Sequence, residues 1–282
     1  MPESNISDTI SVSEVTYLET AGETCRALIY RPNGHGPFPA LVGVHGGAWV
    51  SGDRFAMEGF AERIAEKGIV VMAIDTRLAP AHPYPAAVAD VNAATRWLKS
   101  RCSEYGIDPE RVGGLGISSG GQLLLLSAMR FDDPRYILPV QGISETASPN
   151  AKMAFVITCS GVLDSLGRYR MAEASGNTAI LLCHRACFGD EKTMEESSPL
   201  QILWRGEKTD LPDALFFQGR ADPRLPADTA ENMAKAWISA GGKATAIIYE
   251  GAGHSIGSWQ KRDFSDMLGR ISAICHSSDS RA

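Results

Sequence analysis

An α/β fold, with a mostly parallel eight-stranded sheet, helices on both faces and a small insertion lid, is predicted by three observations. From residue 40 onward, short apolar runs alternate with segments of helical period, the pattern of a parallel sheet wound with crossover helices. One such run, Val112 to Leu115, passes through Gly116-Ile117-Ser118-Ser119-Gly120 straight into the helix-forming segment Gln122 to Met129, so a strand, a sharp turn and a helix follow one another without a linker. The 282 residues, 44% of them hydrophobic, can bury one large core, and a single domain spanning 1–282 is expected.

Taken in order, residues 11–18 and 25–31 are β-rich runs separated by Ala21-Gly22-Glu23-Thr24 and read as an antiparallel hairpin. Strands are then expected at 40–44, 69–74, 111–115, 154–159, 214–218 and 244–249, giving two antiparallel and six parallel strands. Helices are expected near 56–67, 85–100, after Ser118, near 227–240, and at the end, where Phe264, Met267, Leu268, Ile271 and Ile274 recur at helical spacing. In the 85–100 helix Val88, Val91, Thr95 and Leu98 share one face, and Asp90, Arg96 and Lys99 are expected to point elsewhere. Residues 165–211 break the alternation. They are too long for an ordinary crossover and mix Met, aromatic and charged residues without a period, so an insertion lying over the strand ends as a lid is expected.

The formal net charge is -6 and no run of Lys or Arg occurs, so no nucleic-acid or membrane partner is expected. No apolar stretch approaches membrane-spanning length, and the polar opening MPESNISDTI lacks the basic region of a signal peptide. A soluble, cytoplasmic protein with a small-molecule partner is the expectation; whether it forms a homo-oligomer stays open. The six cysteines are scattered along a long chain and read as free thiols in a reducing compartment. Cys183 and Cys187 share a helix face, but no second ligand pair follows, so no metal is expected.

Gly116 and Gly120 flank Ser118 with almost no side chain, as a strained turn presenting a serine above a sheet edge requires. A serine hydroxyl is a poor nucleophile and needs an imidazole to take its proton and a carboxylate to orient the imidazole. The strand at 214–218 runs into Gly219-Arg220-Ala221-Asp222-Pro223 and that at 244–249 into Glu250-Gly251-Ala252-Gly253-His254. Asp222 and His254 are therefore the candidate partners, with Asp228 and Asp164 as rival acids. His45-Gly46-Gly47-Ala48-Trp49 follows the first parallel strand, where backbone N–H groups can face a tetrahedral oxyanion. Gly47 and Ala48, then Gly46, together with Ser119, are the expected donors, and His45 is expected to hold the loop.

HGGAW, the segment Asp75-Thr76-Arg77-Leu78-Ala79-Pro80 with His82-Pro83 after it, GISSGG and the two loops carrying Asp222 and His254 together resemble the hormone-sensitive-lipase-like and feruloyl-esterase-like (HGG-x-W) branch of the α/β-hydrolases. The likeness covers nearly the whole chain. It implies the α/β-hydrolase fold and a cofactor-free serine carboxylesterase acting on modest-sized esters through Ser118, Asp222 and His254, with the oxyanion loop at Gly46 to Ala48. Asp75 and Arg77 are expected to form a structural ion pair or hydrogen-bonded turn below the site. Relatives sharing the HGG-x-W loop leave an amidase or arylformamidase, cleaving N-acyl aryl amides with the same triad, as the alternative. A non-catalytic ligand-binding protein is a third reading. Trp49, Cys159, Leu163, Phe188, Trp204 and Ile256, which lie beside the catalytic loops in sequence, are the apolar pocket candidates, Trp49 reading equally as packing of its own loop.

Overall fold

In the computed structural model, which describes residues 9–20, 22–144, 148–255 and 259–277, eight strands form one sheet in the order β1-β2-β4-β3-β5-β6-β7-β8. The strands are β1 (Ile10–Thr20), β2 (Glu23–Pro32), β3 (Phe38–Val44), β4 (Val70–Ile74), β5 (Ile107–Ile117), β6 (Phe155–Cys159), β7 (Asp213–Gly219) and β8 (Ala244–Tyr249). The hairpin β1–β2 is antiparallel, and β2 also runs against β4. From β3 to β8 all pairings are parallel, so β2 alone opposes the rest of the sheet.

Strands covered on both faces should be apolar at every position, and β4 is buried throughout, VVMAI. Its alternate residues divide between two cores. Val70, Met72 and Ile74 face one side, together with Val88 and Leu98 of α2 (Ala86–Ser100), Leu124 of α4 (Ser119–Met129) and Trp237 of α9 (Thr229–Ser239). Val71 and Ala73 face the other, with Ile64 of α1 (Glu58–Ala65) and Met267, Leu268 and Ile271 of α10 (Lys261–His276). The period of two in the strands and of 3.6 in the last helix thus meet.

The expected one-sided burial of α2 is corrected by the structure, for Asp90 and Arg96 are both buried. Partners make this tolerable: the chain after α4 folds over α2 and serves Arg96, and the β4 exit serves Asp90. Arg96 donates to Asn92 Oδ1, to the Leu138 carbonyl and to Ser148 Oγ. Asp90 receives the Arg77 backbone N–H at 2.7 Å and its Nε at 2.8 Å. Asp75 and Arg77 consequently do not pair with each other. Asp75 accepts from Arg54, 3.0 Å from its Nη1, and from the Arg26 backbone N–H of β2 at 3.2 Å, so Asp75 ties the β4 exit to the outer hairpin and Asp90 ties it to α2.

Residues 165–211 contain four helices between β6 and β7, α5 (Ser165–Ala174), α6 (Thr178–Phe188), α7 (Glu191–Glu196) and α8 (Pro199–Trp204). A short helix, α3 (Cys102–Tyr105), precedes β5. Among the described residues no helix is long and apolar enough to cross a membrane. All six cysteines are unpaired.

Candidate active site

β5 ends at Ile117 and α4 begins at Ser119, so Ser118 alone makes the turn, with φ 53° and ψ −120°. That region is unfavourable for a residue with a side chain, by about 1–3 kcal/mol, and persists only where the surroundings enforce it. They do so here. The Ser118 N–H donates to the Cys159 carbonyl at 3.0 Å, and its carbonyl accepts from Val162 at 2.9 Å and Gly121 at 3.0 Å. A Cβ on Gly120 would run into the Val44 carbonyl, so the helix can start this close to β3 only with glycine there.

The acid and the histidine come from two neighbouring loops laced together. Arg220 N–H donates to the Tyr249 carbonyl and Ala221 N–H to that of Ala252, each at 3.0 Å. Trp259, packed on Tyr249, donates its indole N–H to the Gly253 carbonyl at 2.9 Å. The result is a continuous relay. His254 Nδ1 lies 2.7 Å from Asp222 Oδ2 and His254 Nε2 lies 2.9 Å from Ser118 Oγ. Because the carboxylate can only accept, Nδ1 carries the proton and Nε2 is left to accept from the serine hydroxyl. The other oxygen of Asp222 accepts the Arg224 backbone N–H at 2.8 Å, and its side chain is fully buried while that of His254 is 13% exposed. The rival acids are engaged elsewhere. Asp164 caps α5 and accepts from Ser198 and Gln201, and Asp228 accepts from Asn232.

The loop after β3 is held by its own carbonyls. The Gly47 carbonyl accepts from Val50 N–H at 3.1 Å, Ser51 N–H at 3.2 Å and Ser51 Oγ at 3.1 Å. In a trans peptide this directs the next N–H, that of Ala48, the opposite way. Gly47 has φ 121°, and a Cβ there would collide with the Ser51 carbonyl. Ala48 and Trp49 also have positive φ, 52° and 65°. Trp49 turns inward, donating to Gln122 Oε1 at 2.9 Å, and Gln122 in turn donates to the Ser197 carbonyl at 2.9 Å. His45 is buried and its Nδ1 donates to the Gly46 carbonyl at 2.6 Å; desolvation holds its imidazole below the usual range and therefore neutral. Ser119 is the first residue of α4, so its N–H has no acceptor within the helix.

Ser118 and His254 open into a cavity of about 700 Å³ whose wall includes Gly46, Gly47 and Ala48. The five apolar candidates that fall among the described residues are not in its wall. Trp49 and Phe188 pack edge to face in the core, Cys159 points to Met267 at 3.7 Å on the opposite face of the sheet, and Leu163 is core. Trp204 is 57% exposed beside a separate depression. Ile256 lies outside the described residues. The apolar wall is instead Val50, Phe60, Ile117 and Phe264, and the polar wall includes Arg168, Cys183 and Arg224. Phe264 was visible as part of a helical stripe; Arg168 and Cys183 sit on α5 and α6, whose sequences have no clear period.

The family model described as BD-FAE matches residues 28–237. Esterase LipC of Mycobacterium tuberculosis is 28% identical over 207 residues, covering 70% of this chain and 47% of LipC. Carboxylic ester hydrolase LipN of the same organism is 39% identical over 130 residues, 45% of this chain and 34% of LipN. The chain thus spans less than half the length of these curated relatives. Among solved structures, an esterase from the archaeon Pyrobaculum calidifontis matches with a TM-score of 0.75 at 24% identity, covering 94% of this chain and 85% of that one, and shares the α/β-hydrolase fold.

Proposed function

We propose that this chain, which belongs to the BD-FAE family, is a serine carboxylesterase that cleaves small to medium esters through an acyl-enzyme. The observation that carries the reading is the unbroken relay from Asp222 through His254 to Ser118 at the cavity floor. Ser118 Oγ attacks the ester carbonyl while His254 Nε2 takes its proton; Asp222 keeps the imidazole in the required tautomer and stabilises its cation. The oxyanion is held by the N–H groups of Gly47, Ala48 and Ser119, with Gly46 lining the approach, each donor lowering the barrier by about 2.7–4 kcal/mol. His254 then protonates the leaving alcohol, and water activated by the same imidazole releases the acid. The helices within 165–211 act as a lid over one domain, a role supported by Arg168 and Cys183 in the cavity wall. Six unpaired thiols support a reducing compartment, the cytoplasm.

The test is a paired assay of wild type and Ser118→Ala on p-nitrophenyl esters of increasing acyl length and on the matching anilides. The wild type cleaves esters in preference to anilides, and the variant loses about a million-fold in kcat. A variant that retains its rate overturns the assignment of Ser118, and faster anilide turnover makes the protein an amidase.

A further inference from the structure

The cavity wall carries two guanidinium groups, Arg168 and Arg224, and no Asp or Glu among its described residues. That is unexpected in a chain with a formal net charge of -6. Arg168 is 3% exposed, and its Nη1 is buried without a hydrogen-bond partner. Its Nε is anchored to the Arg224 carbonyl at 3.0 Å, and the guanidinium lies over the Trp49 ring, 5.9 Å from the centroid. Burial pushes its pKa down to about 10, which leaves it charged at neutral pH. The carboxylate whose charge acts on it is that of Asp222, whose two oxygens are already engaged by His254 Nδ1 and the Arg224 N–H. The Arg224 side chain, exposed and part of the cavity wall, forms no ion pair among the described residues. A desolvated cation without a counter-charge is costly. Trp49 and one carbonyl hold the Arg168 plane in place but do not neutralise it, so its unpartnered Nη1 is preorganised to donate to an anion.

We propose that the substrate ester carries a second group, an ionised carboxylate, which Arg168 and Arg224 bind while its ester carbonyl lies against Ser118. The inference rests on the reading of the site as a serine ester hydrolase and adds the class of ester. The apolar wall of Val50, Phe60 and Phe264 takes the uncharged part of the molecule, and the carboxylate belongs to either the acyl or the alcohol moiety.

Two substrate pairs separate these arms. Monoethyl glutarate against ethyl hexanoate places the charge on the acyl side, and O-butyryl lactate against isopropyl butyrate places it on the alcohol side. In one pair wild-type kcat/KM favours the anion by about ten-fold to a hundred-fold, the range of a charged hydrogen bond, mainly through KM. Arg168→Gln brings that ratio close to one, Arg168→Lys restores part of it, and Arg224→Gln lowers it less. Equal or better turnover of the neutral ester in both pairs overturns the inference, as does a folded Arg168→Gln that keeps the ratio. Calorimetry of the intact esters with Ser118→Ala reads the same preference without turnover. If wild type cleaves neutral esters and neither method finds a preference for the anion, this inference alone fails. If no ester is cleaved but the anion binds more tightly, the hydrolase reading fails and the carboxylate site stands. If Arg168→Gln does not fold, the wild-type ratios and Arg224→Gln still decide.

Discussion

Cys183 is the one cysteine whose surroundings leave it open to reagents. The other five are buried, and burial pushes the thiols of Cys25 and Cys187 up to about 12 and that of Cys102 up to about 11, with Cys159 and Cys275 raised further. The thiolate is the reactive species, so these five stay inert while the fold holds. Cys183 is half-buried and shares the cavity wall with Ser118. N-ethylmaleimide therefore modifies native protein at Cys183 first, and the added ring cuts ester turnover by more than about ten-fold by displacing substrate from its reacting position. Cys183→Ser shields whatever activity it has from the reagent. Peptide mass spectrometry checks the order of labelling; full turnover after complete labelling of Cys183 sinks the prediction.

At the scale of elements, the oxyanion loop depends on α4 for its shape. Ala48 and Trp49 hold unfavourable positive φ values, and the bond from the Trp49 indole to Gln122, itself fixed to the Ser197 carbonyl, ties the loop to α4 and the α7–α8 junction. Gln122→Leu keeps the volume and removes both bonds. It leaves a buried indole N–H and a buried carbonyl unsatisfied, at a cost of about 1–3 kcal/mol each. Chemical denaturation should read that loss, and kcat should fall by at least about ten-fold with KM little altered, because a loosened loop holds the oxyanion less well than it holds the ground state. Unchanged kcat in a destabilised variant separates a packing role from a positioning one. None of this coupling was legible in sequence, where Trp49 reads equally as loop packing or as a pocket wall, since only the backbone turn shows that the indole points into the core.

For the whole molecule, the strands and the three relay residues were legible because the physics is local: Ser118, Asp222 and His254 each follow an apolar run that leaves a parallel strand at the same edge. The order of the strands in the sheet was not, since periodicity along the chain does not say which strands become neighbours. The cavity wall was not, because closeness in sequence to those loops says nothing about which face of the sheet a side chain takes, as Cys159 shows. The insertion hides another group with a global consequence. His184 on α6 is fully buried against Trp49 and Phe188, with Nδ1 donating to the Ile180 carbonyl at 2.9 Å. Desolvation, helped by the positive charge of Arg168, pulls its pKa from 6.5 to about 4. Between those values the unfolded chain binds a proton that the folded chain refuses, so stability is fully present above 6.5, falls as pH drops towards 4, and loses nothing more from this residue below it. The full loss is about 3 kcal/mol, and between about pH 7 and pH 5 it is about 2 kcal/mol. His45, also held neutral by burial, acts in the same sense and remains in the variant. Guanidinium denaturation of wild type and His184→Gln at both pH values should therefore show the variant losing about 2 kcal/mol less on acidification. Parallel losses in the two proteins would mean that His184 takes up its proton without unfolding the helices around it.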